Sequence, residues 1–494
     1  MSAKTRDDRP NILFIQTDQH RRDALGCYGN PVVQTPTIDR LARRGIRFDR
    51  HFTCTGVCTP SRGALLSGQY PHRSGMLFNP ELPGNRMGAR LCSFDRPITP
   101  FSQLLTERGY DLYHVGKWHI GSWFESKPSD YGFRGVFYPG YGYPDRHPDF
   151  LKYLSRFGLD GFRLRPRKPL RDDGWAYVSE QVGAPAEASI PGYLCDQAAR
   201  ALRRTARTGR PFFLGLNFWG PHIPVNIPAV CLDRYSPADV PLPENRNDIA
   251  DHRPEIIEKA HRLWGGHVLT EDAMRRITAA YYGYVTLIDE QLGRVFEVLE
   301  STGQAERTVI VFTTDHGSSL GDHGLQDKGL MMYDEVYHIP LIVAGPGVAR
   351  PGRVYRGYTI TMDLTATFAD IAGARAPADY DGVSLLPIIE GRPGHRPRRE
   401  IVCEAFGHQV PFVQRMIRDD RCKYIFNTTT MDEFYDLRND PWERRNLIAT
   451  EDPRRLARYR RRLEAWGRRT EDHTTWRYLP GVTRPAASGA NGDG

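Results

Sequence analysis

Two pairs of adjacent polar residues, far apart in the chain, have side chains that suit one metal ion. They are Asp18-Gln19 and Asp315-His316, which together supply two carboxylates, an amide oxygen and an imidazole. Such a set could hold a divalent cation, with oxygens of a substrate completing the coordination shell. Either aspartate could instead cap a following helix, which is a frequent role of aspartate. The two pairs together favour the metal, and the imidazole, which suits manganese or zinc better than calcium, leaves the identity of the ion open.

Cys58 directly precedes a segment that has the features of a helix start. Pro60 would lie in the first turn of that helix, where an anion would meet free backbone N–H groups and the positive end of the helix dipole. Arg62 could add positive charge at the same place. Cys58 could be an inert buried cysteine or an activated thiolate nucleophile. The thiolate is disfavoured because cysteine phosphatases have a longer spacing between their cysteine and arginine.

Several polar residues directly follow apolar runs that have the composition of buried strands. Such runs cover residues 11–17, 110–115, 212–218, 308–313 and 340–344. The polar residues close behind four of them are Asp18 with Gln19, Lys117 with His119, His222, and Asp315 with His316. In open α/β sheets, ligands bind beyond the carboxyl ends of the strands. We therefore expect these side chains to meet at one site.

The first three-quarters of the chain alternates strand-like runs with helical patterns, which is typical of an α/β fold. Helices are predicted over residues 100–108 and 271–300. Residues 140–190 are rich in Gly, Pro, Tyr and Arg, and are predicted to be substrate-facing loops rather than sheet.

The pattern changes near residues 394–399. Runs at 401–405, 412–418 and 422–426 then predict a small antiparallel sheet. A final helix follows, and its apolar stripe is formed by Leu456, Tyr459, Leu463 and Trp466.

Composition argues against several classes of function. The 494 residues carry a formal net charge of +8, but arginine is spread along the whole chain without a nucleic-acid-binding module, so we expect no nucleic-acid partner. No apolar run is long enough to span a membrane, and no signal peptide precedes the first strand. We therefore expect no membrane partner and a cytoplasmic location. The eight cysteines are scattered and lack the density of a disulfide scaffold.

The segment around Cys58 carries a specific family pattern. Cys58-Thr59-Pro60-Ser61-Arg62 resembles the C-x-P-S-R signature of the sulfatase family. Other segments resemble further family motifs in the same order: Asp18-Gln19 the first metal pair, Gly116-Lys117-Trp118-His119 the G-K-W-H segment, Asp315-His316-Gly317 the second metal pair, Lys328 the later lysine, and residues 435–447 the C-terminal signature. The resemblance spans nearly the whole chain, which is identified as a member of the formylglycine-dependent sulfatases of the alkaline phosphatase superfamily.

This resemblance implies an α/β fold of the alkaline-phosphatase type. A large mixed β-sheet would be flanked by helices, with a smaller C-terminal antiparallel sheet plus helix. We accordingly expect a catalytic sulfatase domain over residues 1–395, a C-terminal α+β subdomain over residues 396–480, and a disordered tail over residues 481–494.

The resemblance also implies the chemistry. In this family a formylglycine-generating enzyme oxidises the cysteine, here Cys58, and the hydrated aldehyde attacks sulfur and expels the alcohol. The metal ligands would be Asp18, Gln19, Asp315, His316 and the oxidised Cys58. We expect calcium first, with manganese, magnesium or zinc as alternatives. The catalytic residues would be Cys58, Arg62, Lys117, His119, His222 and Lys328.

Family roles can be assigned to these catalytic residues. Arg62, Lys117 and Lys328 would neutralise charge on the sulfuryl oxygens. His222 or Lys328 would protonate the leaving oxygen. His119 would remove a proton from the second hydroxyl of the hydrate, so that sulfate leaves. The expected substrate is a sulfated small molecule or saccharide.

Gln19 departs from the usual family pattern, because many sulfatases have a second aspartate there. The change removes a negative charge from the ligand set, and phosphonate monoester hydrolases of the same superfamily share the Asp-Gln pair. Hydrolysis of phosphonate monoesters or phosphodiesters is therefore the alternative function. This alternative is disfavoured because the corresponding segment of those enzymes resembles C-x-P-A-R. They also lack the G-K-W-H segment, which this chain has at residues 116–119. A binding protein in which Cys58 is never oxidised is a third possibility.

Overall fold

The computed structural model describes residues 9–80, 90–121, 126–138, 147–171, 173–247 and 253–479. The predicted tail at 481–494 lies outside the described residues. The strands are β1 (Asn11–Asp18), β2 (Gly45–Phe52), β3 (Asp111–Lys117), β4 (Arg134–Tyr138), β5 (Leu164–Leu170), β6 (Ala176–Gln181), β7 (Phe212–Pro221), β8 (Val225–Pro228), β9 (Thr308–Thr314), β10 (His338–Ala344), β11 (Arg353–Ile360), β12 (Ile401–His408), β13 (Val410–Arg418), β14 (Cys422–Asn427) and β15 (Glu433–Asp436).

The helices lie between these strands and after them. They are α1 (Pro36–Arg44), α2 (Cys58–Ser67), α3 (Pro71–Ser74), α4 (Phe101–Glu107), α5 (Pro148–Ser155), α6 (Ile190–Thr208), α7 (Ala229–Leu232), α8 (Glu255–Leu263), α9 (Glu271–Ser301), α10 (Asp334–Tyr337), α11 (Thr361–Ile371), α12 (Leu386–Ile389), α13 (Pro453–Thr470) and α14 (His473–Tyr478).

Eight of the strands form one mixed sheet in the order β11-β2-β10-β9-β1-β7-β3-β4. Neighbouring strands are parallel except at β10, which runs antiparallel to both β9 and β2. β1 lies between β7 and β9 and is buried along its whole length. The large mixed sheet flanked by helices that the sequence led us to expect is confirmed.

Alternate residues of β1 pack on opposite faces of this sheet. Leu13 and Ile15 belong to the apolar cluster that includes α1, α6 and α9. Ile12 and Phe14 belong to the cluster on the other face, with α2, α4 and α11. Phe14 meets Phe368 of α11 edge-on, with ring centroids 5.4 Å apart. Because helices cover both faces, residues 12–15 of β1 form a continuous apolar run rather than an alternating pattern.

The expectation that residues 140–190 form loops is wrong for α5, β5 and β6. β5 and β6 join β8 in a three-stranded sheet of order β5-β6-β8. β5 is mostly exposed, and its Arg165 and Arg167 each lie 2.7 Å from a carboxylate oxygen of Glu180 on β6. Such a strand buries little apolar surface, so its sequence carries no hydrophobic alternation from which to recognise it.

The C-terminal part contains the predicted small antiparallel sheet, in the order β12-β13-β14-β15, followed by α13. The predicted stripe of α13 is buried in the same apolar cluster as this sheet. That cluster also contains Phe52 of β2 and Tyr333, which come from the first three-quarters of the chain. The two parts share a core, and the domain boundary at residues 395–396 stays a prediction.

Within the described ranges, none of the helices combines the length and the apolar character needed to cross a lipid bilayer. The cytoplasmic location stays a prediction from the sequence. The eight cysteines all lie in the described ranges, and all except Cys27 are buried.

Candidate active site

The carboxyl ends of β1, β3, β7 and β9 meet at one edge of the main sheet, and polar residues occupy them. Asp18 is the last residue of β1 and Lys117 is the last residue of β3. His222 directly follows β7, and Asp315 directly follows β9. Since β1 is parallel to β7 and β9, and β3 is parallel to β7, all four side chains start from the same edge.

Cys58 begins α2, whose ten residues are all buried. Its Sγ lies 3.0 Å from Nε2 of His316 and 3.9 Å from Oδ1 of Asp18. Val57, in an extended conformation, is the N-cap. The sulfur therefore lies where the first turn of a helix presents backbone N–H groups and a partial positive charge.

Asp18, Cys58, Asp315 and His316 bring their potential ligand atoms together. One such atom from each residue lies within 4.8 Å of the other three. Oδ1 of Asp315 accepts hydrogen bonds from the backbone N–H groups of Gln19 and His316, at 3.2 and 2.9 Å. Nδ1–H of His316 donates to the next backbone carbonyl at 2.8 Å. This bond fixes the ring and directs Nε2 to the centre of the group, as is usual for imidazoles that bind metals.

Two buried cations, Arg62 and Lys117, hold the carboxylates in place. Arg62 donates from Nε to Asp315 at 2.9 Å and from Nη2 to Asp18 at 3.0 Å. Nζ of Lys117 lies 2.5 Å from the same Oδ2 atom of Asp18. Burial would raise the pKa of Asp18, but Lys117 and the other nearby cations lower that pKa more, to well below its usual value. The Asp18 carboxylate is therefore ionised.

His119 and His222 are both held in the neutral form. Burial, assisted by the charge of Lys117, lowers the pKa of His119 well below its usual value. Burial and the charge of Lys328 do the same to the pKa of His222. Nδ1–H of His222 donates to the next backbone carbonyl at 2.5 Å, and Nε2 accepts a hydrogen bond from Nζ of Lys328 at 2.6 Å. Within this pair, Lys328 carries the proton.

Gln19 lies beside Lys328, directly after β1, in a left-handed backbone conformation with φ of 58°. Its Oε1 accepts a hydrogen bond from Nζ of Lys328 at 3.2 Å. Its Nε2 donates to Oγ of Ser318 at 2.9 Å and to Oδ1 of Asp327 at 3.1 Å. The structure thus brings together all ten residues that the sequence singled out, with Gln19, His222 and Lys328 on one side of the group.

Sequence reasoning missed several residues that support this site. Ser318 and Asp327 hold Gln19, and Asn79 accepts a hydrogen bond from the backbone N–H of Thr59 at 2.9 Å. Asp327 adjoins Lys328 in sequence, and that position could have drawn attention to it. Ser318 directly follows Asp315-His316-Gly317 and could have drawn attention in the same way. Asn79 has no such signal, because only the folded chain brings it to the site.

The residues present fit a divalent cation. Ligand atoms 2.3–2.6 Å from a calcium ion lie at most about 5 Å apart, and the four atoms described above meet this condition. Oδ1 of Asp18 lies 3.9 Å from His222 and 4.0 Å from His316, which is too far for hydrogen bonds and leaves room for an ion. An oxygen on the oxidised side chain would take the place of the Cys58 sulfur.

Comparisons with known proteins agree with this geometry over nearly the whole chain. The sulfatase family profile matches residues 10–374, and a profile described as N-sulphoglucosamine sulphohydrolase, C-terminal, matches residues 321–466. The uncharacterised sulfatase YidJ of Escherichia coli is 31% identical over 454 residues, which cover 89% of this chain and 83% of that protein. The Delta 4,5-hexuronate-2-O-sulfatase of Bacteroides thetaiotaomicron is 27% identical, with 95% of this chain and 91% of that protein covered.

The fold also resembles that of a solved phosphonate monoester hydrolase, SpPMH from Silicibacter pomeroyi. The TM-score is 0.76 at 27% identity, covering 94% of this chain and 96% of the other. The scaffold is therefore of the alkaline-phosphatase type and serves more than one ester hydrolase. The sulfatase family match, however, covers residues 10–374, from β1 through Asp315-His316 and past α11. The chain therefore belongs to the sulfatase family, the hydrolases of sulfate esters.

Proposed function

We propose that this sulfatase uses a formylglycine made from Cys58 and a divalent cation held by Asp18, Gln19, Asp315 and His316. Calcium is the first candidate for the cation, with manganese, magnesium or zinc as alternatives. The observation that supports the proposal most directly is the grouping of four ligand atoms within 4.8 Å, with Cys58 among them at the start of α2. Two carboxylates and an imidazole are not the apolar surroundings expected of an inert buried cysteine.

The aldehyde hydrate would supply a nucleophilic oxygen, and the cation would polarise it and the sulfuryl oxygens. The chain itself supplies positive charge around the same point. Arg62 and Lys117 both reach Oδ2 of Asp18, so their positions are fixed before substrate arrives. Charge placed in advance around the reacting group lowers the transition-state free energy without reorganisation.

Lys328 is the better candidate for the acid that protonates the leaving oxygen. His222 is neutral, its Nδ1–H is used by a backbone carbonyl, and its Nε2 already accepts from Lys328. The proton that can be given away is therefore on Nζ of Lys328, and His222 orients that group. In this assignment His222 is a positioning residue, although sequence alone left the choice open.

His119 suits the role of general base. It is neutral in the pocket, because burial and Lys117 lower its pKa, and a neutral imidazole can accept a proton. It follows β3 two residues after Lys117, in a left-handed conformation with φ of 51°. In this role His119 would take the proton from the second hydroxyl of the hydrate.

A sulfated small molecule or saccharide is the proposed substrate. The relative from Bacteroides thetaiotaomicron is named for action on a sulfated hexuronate, and arginines of β5 add positive charge to the surface of the three-stranded sheet. A formylglycine-generating enzyme is the proposed partner for maturation. Nucleic acid and membrane are not proposed as partners.

Mass spectrometry of the peptide that contains residue 58 tests the nucleophile. Protein produced together with a formylglycine-generating enzyme is expected to carry the aldehyde, and to release sulfate from an aryl sulfate. Cys58→Ala should abolish this activity, whereas Cys54→Ala, which changes another buried cysteine nearby, should retain it. Activity that survives Cys58→Ala would exclude Cys58 as the nucleophile, and an unoxidised, inactive protein would favour a binding function.

Phosphonate monoester hydrolysis is the second candidate, favoured by Gln19 and by the likeness to SpPMH. Paired assays with an aryl sulfate and a phenyl phosphonate monoester separate the two functions. We expect the higher kcat/KM for the sulfate. A higher kcat/KM for the phosphonate would reverse the assignment.

A further inference from the structure

Every polar atom of Gln19 takes part in a hydrogen bond. Its backbone N–H donates to Asp315 at 3.2 Å, and its carbonyl oxygen accepts from the hydroxyl of Tyr281 at 2.7 Å. Its side chain is fully buried, and both amide atoms have partners. Gln19 therefore has no freedom to turn in the pocket.

The partners also decide which way the amide faces. An ammonium group only donates hydrogen bonds, and a carboxylate only accepts them. Lys328 and Asp327 are such groups, and they form an ion pair at 3.2 Å. The amide oxygen of Gln19 must therefore face Lys328, and its nitrogen must face Asp327. The flipped amide would set donor against donor and acceptor against acceptor.

We propose that Asp327, together with Ser318, is a positioning residue that requires an amide instead of a carboxylate at position 19. A carboxylate in that place would lie about 3 Å from the Asp327 carboxylate, in a pocket with little solvent to screen the repulsion. Asp327 thus carries, outside the ligand set, the negative charge that many sulfatases place on the second ligand. This inference deepens the proposed function, since it explains how the charge of the cation site is set.

A charge swap between positions 19 and 327 tests the proposal. Gln19→Glu keeps the length of the side chain and creates the facing carboxylates. Asp327→Asn removes the opposing charge and offers a donor to Glu at 19. The double variant carries the same total charge as the natural protein, with the negative charge moved to position 19. Thermal unfolding of the full chain in chelator, near pH 8, compares the four proteins.

Gln19→Glu is expected to lower the melting temperature by roughly 3–5 °C in a chain of this size, because the new buried carboxylate faces Asp327 and must share Lys328 with it. Asp327→Asn should cost less, because its side-chain oxygen still accepts from Gln19. The double variant should recover most of the loss. If the decrease in melting temperature of the double variant equals the sum of the decreases of the two single variants, the proposal is wrong. If Gln19→Glu gives no folded protein, recovery of folded protein by the double variant supports the proposal and failure to recover it contradicts the proposal.

Ser318 has a matched neighbour as a control. Ser318→Ala removes an acceptor of the Gln19 amide and should lower the melting temperature. Ser319→Ala changes an equally buried serine whose hydroxyl does not contact Gln19, and should have a smaller effect. A larger loss in Ser319→Ala than in Ser318→Ala would contradict the role given to Ser318.

Calorimetric titration with calcium then connects the swap to the cation. With a carboxylate at position 19 and none at 327, the double variant should bind calcium roughly tenfold more tightly than the natural protein, because ligand charge strengthens calcium binding. Unchanged or weaker binding would overturn the link to the cation site. Neither thermal unfolding nor calcium titration depends on turnover. A failure of this proposal can therefore be distinguished from a failure of the sulfatase assay.

Discussion

Two buried clusters of charged residues in this molecule have similar composition, but their carboxylate oxygens are paired differently. Beneath the C-terminal sheet, Nζ of Lys423 lies 2.6 Å from Asp334 and also contacts Glu443. In the active site, Nζ of Lys117 lies 2.5 Å from Asp18. Both lysines are at most 2% exposed and both are paired with an aspartate. Burial and an ion pair alone therefore do not distinguish the proposed catalytic lysine from a structural one.

The clusters differ in what the acids do with their second oxygen. Asp334 accepts from Arg418 at both oxygens, and Lys423 pairs with it as well. Oδ2 of Asp18 pairs with Arg62 and Lys117. Its Oδ1 lies 3.9–4.0 Å from polar atoms of Cys58, His222 and His316. In the structural cluster, both oxygens of Asp334 are paired with cations. The cluster at the candidate active site keeps a carboxylate oxygen directed at a common point, where a cation fits.

The largest effect is expected from the structural cluster. Lys423→Met should lower the free energy of unfolding by about 3–5 kcal/mol, because it leaves Asp334 and Glu443 buried with less compensating charge. Urea unfolding measures the loss, and Lys259→Met, on the exposed side of α8, serves as a control. The kcat/KM of the folded fraction should change little. A variant that stays stable but loses activity would place Lys423 in the catalytic machinery and erase the distinction.

The matching change in the active site should act on turnover. Lys117→Met is expected to lower kcat/KM on the order of 10²–10³-fold, the usual cost of removing one group that stabilises transition-state charge. Steady-state kinetics on an aryl sulfate measure this loss, with Lys259→Met again as the control. If kcat/KM is unchanged while stability falls, Lys117 is only a partner of Asp18.

A third ion pair gives a dependence on pH. His72 directs Nδ1–H to Glu404 at 2.6 Å and Nε2–H to the carbonyl of Thr470 at 2.9 Å. Burial opposes the charged imidazole, but Glu404 outweighs it and raises the pKa of His72. A pKa raised by folding stabilises the protein fully below the unfolded value of 6.5, and this contribution is lost as pH rises through the folded value.

His72→Gln should therefore lower the melting temperature more at about pH 6 than at about pH 9. At the lower pH, the free energy of unfolding should fall by about 2 kcal/mol. Melting curves of both proteins at the two values measure the difference. If the difference in melting temperature between the two proteins grows as pH rises, His72 is neutral in the folded protein.

The smallest effect is expected at the exposed sheet. Arg165 is 66% exposed at its side chain and already pairs with Glu180. Arg165→Gln should change the KM for a sulfated saccharide by less than about threefold, because exposed pairs are screened by solvent and salt. A much larger rise in KM, reduced by added salt, would make β5 part of the substrate site.

The sequence was most informative where physical constraints are strict. β1 is buried on both faces, so its residues 12–15 form an apolar run, and the polar residues that follow the strand had to lie at the sheet edge. β2 was missed because its charged residues, such as Arg47 and Asp49, interrupt the apolar run even though the strand lies inside the sheet. The arginine-rich β5 was missed for a related reason.

The candidate catalytic residues could be selected in advance, because each belongs to a family motif or, like His222, closely follows a strand-like run, but their hydrogen bonds to supporting residues could not. Asp327 and Ser318 act on Gln19 from about 300 positions away in the sequence, through two hydrogen bonds. A hydrogen bond of that kind leaves no local pattern. The cluster around Lys423 was invisible for the same reason, since its members come from separate segments of the chain.

The burial of α2 has a consequence for how the protein matures. Cys58 is 1% exposed, and it is the first residue of a helix with no exposed side chain. A second enzyme that oxidises this thiol has no access to it once the chain has closed. If Cys58 is oxidised as proposed, the oxidation must precede the final compaction of the polypeptide, so that adding the oxidising enzyme to already folded, unmodified protein would come too late to activate it.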